Sequence, residues 1–329
     1  MTGKKKEHLP QQQQQKQTWG AGIFMIALAI QYGVQPLISK RCTGKQVIMT
    51  SAVLTCEIIK SAVALLVMVS DGSLWRISRK WSFAEALRDS ALPAAVYALQ
   101  NTLLQLSYRH LDSLTFSLLN QTKLVFTAIF MFLILGYRQT KQQVGALLML
   151  LVAAMLLSLG QSSPNKQSKQ IEQEAKFMLG IVPILAASVL SGLGSTLCQW
   201  AGQVKRRSTY LMTVEMSIFG SICLLVSMFW SPDGKSIQRN GFFYGWTPLT
   251  YVPVVLNAIG GILVGLITQL AGGVKKGFVI VSALMITAML EVVLEGKGLS
   301  GYVVAALPLV VSSTIIHQRY PYVPKAKTA

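Results

Sequence analysis

Apolar stretches of about 17–25 residues follow one another along nearly the whole chain, and that rhythm leaves few folds open. Coiled as an α-helix, a stretch of that length crosses a hydrocarbon core about 30 Å thick. Lipid offers no partner to an unpaired amide or carbonyl, so a spanning segment must satisfy its backbone internally. The runs are continuous and do not alternate apolar with polar residues, as the strands of a membrane barrel do. Composition agrees: 52% of the 329 residues are hydrophobic and 13% are charged, against about 25% charged in a soluble domain. The fold class expected is all-α integral membrane. Its ten transmembrane helices fall at 20–38, 46–69, 91–110, 113–136, 144–160, 177–200, 209–230, 248–271, 277–294 and 300–318.

Ten spans divide into a first five-helix half, 20–160, and a second, 177–318, joined by the polar linker 161–176. An odd number of helices per half turns the second half over, which gives two inverted repeats. Charges inside the spans recur about half a chain apart: Glu57 with Glu215, and Lys123 with Lys276. Residues 1–19, with Lys4 to Lys6 and the glutamine run Gln11 to Gln15, read as a disordered tail, and 319–329 as a second tail. Lys and Arg are more numerous on the side that holds both tails, which predicts cytosolic ends. The net charge of +18 is spread over loops and tails. No basic domain presents a nucleic-acid face, so the lipid bilayer is the partner and nucleic acid is not. Near the end, Lys325 and Lys327 look like a dilysine signal read by coat proteins of the early secretory pathway; contact with anionic lipid is the other use for them.

Lys123 stands in the middle of an apolar stretch, where an ionisable group costs about 2.5–3.5 kcal/mol and marks a substrate or ion pathway by default. Phe116, Asn120, Lys123 and Thr127 share one helix face by spacing, and Tyr97, Asn101, Gln105 and Tyr108 share another. Amides, rings and an ammonium group suit an anionic ligand with a flat base. Interhelical hydrogen bonding is the structural use of Asn101, Gln105 and Thr127. Lys275 and Lys276 follow Gly272-Gly273 at the opening of a helix, which makes either a phosphate-sized anion site or an ordinary cytosolic loop. Glu57 and Lys60, three apart, neutralise each other. Glu215 has no such neighbour on its span, so it offsets a lysine across the bundle or gates the cavity. Gly261 with Gly265, and Ser188 with Gly192, are small-residue pairs that let helices pack closely. No nucleophile–base set, paired acids at a shared membrane depth, phosphate-binding glycine loop or histidine cluster is present, which disfavours an enzyme and a primary pump. Four cysteines without metal-ligand spacing imply neither zinc nor a disulfide framework, and no cofactor is called for.

Tyr97-Ala-Leu-Gln-Asn101, Leu111-Asp112, Asn120-Gln121-Thr122-Lys123, Tyr210-Leu-Met-Thr-Val-Glu-Met216 and Lys276-Gly277-Phe278 together resemble the nucleotide-sugar transporter family. The likeness is to the branch that holds CMP-sialic acid, UDP-galactose and UDP-N-acetylglucosamine carriers, and to a plant CMP-sialic acid transporter-like member. It implies the drug/metabolite transporter fold. It also implies antiport of a nucleotide-sugar into the Golgi lumen, or that of the endoplasmic reticulum, against the nucleoside monophosphate, by alternating access. By the same resemblance Asn101 and Lys123 contact the nucleotide and Lys276 the phosphate, and Tyr97, on the helix face it shares with Asn101, is a further substrate-binding candidate. Thr213 and Ser217 stand where the family places Asn and Tyr, and Thr102 replaces a second Asn. Phe116 and Asn120 stand where sialic acid carriers have tyrosines, and Gln199 where the family often has Glu. Glu57, Lys60 and Glu215 are candidates for coupling or gating. The phosphate end is better kept than the base and sugar ends. CMP-sialic acid, exchanged for CMP, is the substrate favoured, with UDP-N-acetylglucosamine or UDP-N-acetylgalactosamine, exchanged for UMP, as the alternative. A non-transporting regulatory membrane protein and a small-anion channel are the other classes; isolated lysines, not rings of charge, favour a binding site over a channel.

Overall fold

The computed structural model of the chain describes residues 11–44, 46–79, 81–111, 116, 119–160, 177–295 and 301–320. Its described regular structure is helical. α1 spans Gln11–Cys42, α2 Met49–Ser70 and a short α3 Ser73–Ser78. α4, Phe83–Ala86, runs through a π turn at Leu87–Ala91 into α5, Leu92–His110. α6 is Lys123–Leu135 and α7 Lys141–Gly160. α8, Val182–Gln199, is flanked by π turns at Phe177–Ile181 and Trp200–Val204. α9 (Thr209–Met228), α10 (Pro232–Asn240), α11 (Tyr251–Leu270), α12 (Gly273–Glu295) and α13 (Gly301–Arg319) complete the order.

Seven described helices are long and apolar enough to cross a membrane: Gly20–Cys42, Met49–Ser70, Leu179–Val204, Thr209–Met228, Pro248–Leu270, Gly273–Leu290 and Gly301–Arg319. Lys123–Leu135 and Lys141–Leu156 are apolar and shorter. Ile23, Ile26, Leu66, Val69, Leu133 and Leu148 are exposed, while Ser51, Thr127, Ser195, Thr196, Gln199 and Ser217 are buried. Apolar surface outside and polar groups within is the arrangement lipid imposes. The chain is a multi-pass membrane protein.

Two expectations are revised. α1 begins at Gln11, so the glutamine run forms its first turns; Gln favours helix and the only proline within α1 is Pro36. The stretch 113–136 is not one continuous helix. At Gln121 and Thr122 it gives way to tight turns, Leu124 N bonding to Gln121 O and Val125 N to Thr122 O, and α6 starts afresh at Lys123. Thr122 Oγ1 donates to Leu119 O at 2.7 Å, a side-chain bond of the kind that competes with the helix ladder. Residues 1–10, Asp112, the 161–176 linker and the tail with Lys325 and Lys327 lie outside the described residues.

The main helix pairings run between the two halves of the chain. α7 packs on α13, α2 on α9, α5 on α8, α1 on α11, α1 on α12 and α6 on α8. Matching the long helices of the halves in order pairs α1 with α8, α2 with α9, α5 with α11, α6 with α12 and α7 with α13. Under that exchange α5–α8 becomes α11–α1, α1–α12 becomes α8–α6, and the other two pairings map onto themselves. One apolar core joins α6, α7, α12 and α13 through Leu124, Met131, Leu150, Phe278, Val281 and Val310. A second joins α1, α11 and α12 through Leu28, Ile267 and Val279.

Candidate functional site

The helix break leaves Lys123 at the first position of α6, and the turn at Gly272 leaves Lys276 in the first turn of α12. Both lysines therefore stand at helix N-termini, where unpaired N–H groups add positive potential. Three glycine contacts bring the two helix starts together over α8. At Gly192 of α8 a Cβ would lie 2.7 Å from Phe126 C and Thr127 N. A Cβ on Gly273 would lie 3.2 Å from Thr127 Cγ2 and 2.7 Å from Ser195 Oγ. Gly277 abuts Leu124. Gly272, at φ 90°, occupies the left-handed region that glycine tolerates, which lets the chain turn from α11 into α12 within two residues.

Lys276 Nζ donates to Ser195 Oγ at 2.8 Å. Lys123 opens α6, whose Thr127 methyl faces Gly273 at the start of α12. Neither lysine has an acidic partner among the described residues, and both side chains are half-buried. Tyr97 of α5 reaches the same place: its ring lies against Gly194, next to Ser195, where a Cβ would be 3.1 Å from the ring. Tyr97 and Lys276 thus meet on one turn of α8, and the start of α6, which carries Lys123, packs on the same helix at Gly192.

The other sequence candidates are placed as follows. Asn101 and Thr102 are exposed a turn further along α5, and Thr102 Oγ1 donates to Ala98 O at 3.0 Å. Phe116 and Asn120 are half-buried ahead of the helix break. Gln105 and Tyr108 have side chains outside the described set. Thr213 and Ser217 are buried on α9; Thr213 donates to Thr209 O at 2.8 Å and Ser217 Oγ has no hydrogen-bond partner among the described residues. Neither bonds to Lys123 or Lys276 there. Lys275 is exposed. Glu57 and Lys60 pair at 2.7 Å, and the lysine stem lies against Gly261, where a Cβ would be 2.8 Å from Lys60 Cδ.

Glu215 does not offset a site lysine. Arg207, eight residues back in the loop before α9, grips it with Nε at 3.0 Å and with Nη2. Trp81 Nε1 donates to the carboxylate at 2.8 Å and Ser90 Oγ at 2.5 Å. Asp89, 3% exposed, is 3.7 Å from Arg207 Nη1. This clasp ties residues 81–90 of the first half to the α9 entry of the second. It walls a recess of about 760 Å³ lined also by Arg76, Arg88, Lys205 and Arg206. Sequence spacing misses it because its partners are distant along the chain. Ser195 and Gln203 were readable in principle, since with Ser188, Gly192 and Gln199 they follow helical spacing along α8 and into the π turn after it.

The sequence model of the family described as nucleotide-sugar transporter matches residues 23–318. The chain belongs to the nucleotide-sugar transporter family. It is 60% identical over 304 residues to the UDP-N-acetylglucosamine transporter ROCK1 of Arabidopsis thaliana, covering 92% of this chain and 93% of that one. The UDP-N-acetylglucosamine transporter of Bos taurus is 25% identical over 255 residues, 75% of this chain and 78% of its own. A UDP-galactose translocator of Canis lupus familiaris is 24% identical, over 77% of this transporter and 64% of its own length. A solved crystal structure, 15% identical, superposes with a TM-score of 0.68 over 91% of this chain and 97% of its own, a likeness of fold. The family consists of carriers and not of enzymes.

Proposed function

We propose that this transporter carries UDP-N-acetylglucosamine into the lumen of the Golgi or endoplasmic reticulum in exchange for UMP. The observation that carries this reading is the 60% identity, spanning nearly the whole of both chains, to a UDP-N-acetylglucosamine transporter. CMP-sialic acid, favoured by the sequence reading, gives way to the alternative. The site agrees chemically: a nucleotide-sugar brings phosphate charges that cannot enter hydrocarbon alone, and Lys123 and Lys276 offer two ammonium groups without acidic partners among the described residues. Tyr97 adds a ring beside them. The exchange symmetry of the helix pairings supports ten spans in two inverted five-helix repeats, with Lys123 and Lys276 at equivalent helix starts.

Proteoliposomes preloaded with UMP test the reading. They should accumulate UDP-N-acetylglucosamine faster than empty ones, and faster than CMP-loaded vesicles accumulate CMP-sialic acid. Faster CMP-sialic acid exchange would overturn the substrate, and equal rates with and without internal UMP would overturn the antiport.

A further inference from the structure

Gln199 is 2% exposed, and both ends of its amide are engaged. Oε1 accepts from the Gly273 N–H at 2.8 Å, and Nε2 donates to Gln203 Oε1 at 2.9 Å. A backbone N–H can only donate, so it fixes which end of the amide faces α12. Gln203 Nε2 in turn donates to Gln269 O at 2.7 Å, and Gln269 Nε2 to Arg207 O at 3.2 Å. The orientation of Gln199 is therefore anchored from behind. Ser195, one turn earlier on α8, takes the Lys276 ammonium. α8 holds the start of α12 at two points, one on its backbone and one on the lysine head. The fit is close: a Cβ on Gly272 would lie 3.0 Å from Gln199 Nε2.

What the start of α12 needs from this position is an acceptor; an amide oxygen or a carboxylate oxygen supplies it, and an aliphatic side chain does not. We propose that Gln199 is a positioning residue for Lys276, fixing the first turn of α12 and with it the lysine that meets the phosphate of the ligand. The proposal rests on nucleotide carriage and adds to it a residue that acts through Lys276.

The test compares UMP with uridine, which lacks the phosphate, in competition binding to the full-length protein in nanodiscs of neutral lipid. Gln199→Leu removes the acceptor and should weaken UMP about tenfold while uridine changes by less than about twofold. Gln199→Glu keeps the acceptor and should hold UMP affinity within about threefold of wild type. Equal losses for UMP and uridine in Gln199→Leu, or a loss of UMP in Gln199→Glu as large as in Gln199→Leu, would overturn the proposal. A wild type that prefers CMP to UMP fails the uridine reading alone, and the same comparison with CMP and cytidine then decides the role of Gln199. Hydrogen exchange at residues 272–276 gives a ligand-free check. Protection should persist in Gln199→Glu and fall in Gln199→Leu; protection kept in both would overturn the proposal.

Discussion

What neutralises a lysine inside a membrane protein decides what that lysine can do. Lys60 has Glu57 at 2.7 Å, whereas Lys276 has a serine hydroxyl and Lys123 no acid among the described residues. A phosphate therefore gains more from the second pair than from the first. Lys123→Ala and Lys276→Ala should each weaken UMP binding about tenfold or more, the scale of a hydrogen bond to a charged group. Lys60→Ala should leave UMP affinity unchanged and lower stability by about 1–3 kcal/mol, because it strands Glu57. Calorimetric titration with UMP and thermal unfolding separate the two cases; an affinity loss in Lys60→Ala as large as in Lys276→Ala sinks the distinction. This much was legible in the sequence, because an acid that pairs along a helix stands three or four residues away. Glu215 was not legible. Its arginine lies eight residues back, beyond a turn in which Arg206 takes a φ of 54°, and its other donors come from residues 81 and 90.

At the scale of elements, the apolar runs announced the helices, since length and hydropathy alone decide whether a run can span. The break before Lys123 was hidden, because Thr122 interrupts the ladder through one hydroxyl bond that spacing does not reveal. That break matters, since it turns a mid-helix lysine into one at a helix start, seated on α8 through Gly192. Gly192→Ala would put a Cβ 2.7 Å from the backbone at Phe126 and Thr127, atoms that cannot swing aside as a side-chain tip can. We expect a loss of about 1–3 kcal/mol from overpacking, with weaker UMP binding as α6 is pushed from α12. Gly145→Ala on α7, where a Cβ meets nothing within 4 Å, is the control and should be neutral. Thermal unfolding of both variants decides it; a Gly192→Ala protein as stable as Gly145→Ala would mean that α6 and α8 are not held in this register.

Across the whole molecule, each half builds its neighbour's interface: α6 begins at Lys123, α12 carries Lys276 in its first turn, and the exchange that pairs these helices also pairs the helices they pack on. Charges at equivalent places have a consequence for turnover. On the exchange proposed above, closing the empty cavity would take two ammonium groups out of water without an acidic partner among the described residues, and desolvating such charges costs several kcal/mol each. Bound phosphate would remove that cost, so the loaded carrier would change sides more readily than the empty one. Removing one positive charge should ease the return of the empty carrier more than it helps the loaded one. Lys123→Gln is therefore expected to lower the ratio of UMP-driven exchange to net UDP-N-acetylglucosamine uptake by about three- to tenfold, a shift of roughly 1 kcal/mol in relative barriers. Both fluxes are measured in the same proteoliposomes, with and without internal UMP, at substrate concentrations that saturate the variant. A variant that loses exchange and net uptake in equal proportion would show that the lysines bind phosphate without controlling the return step.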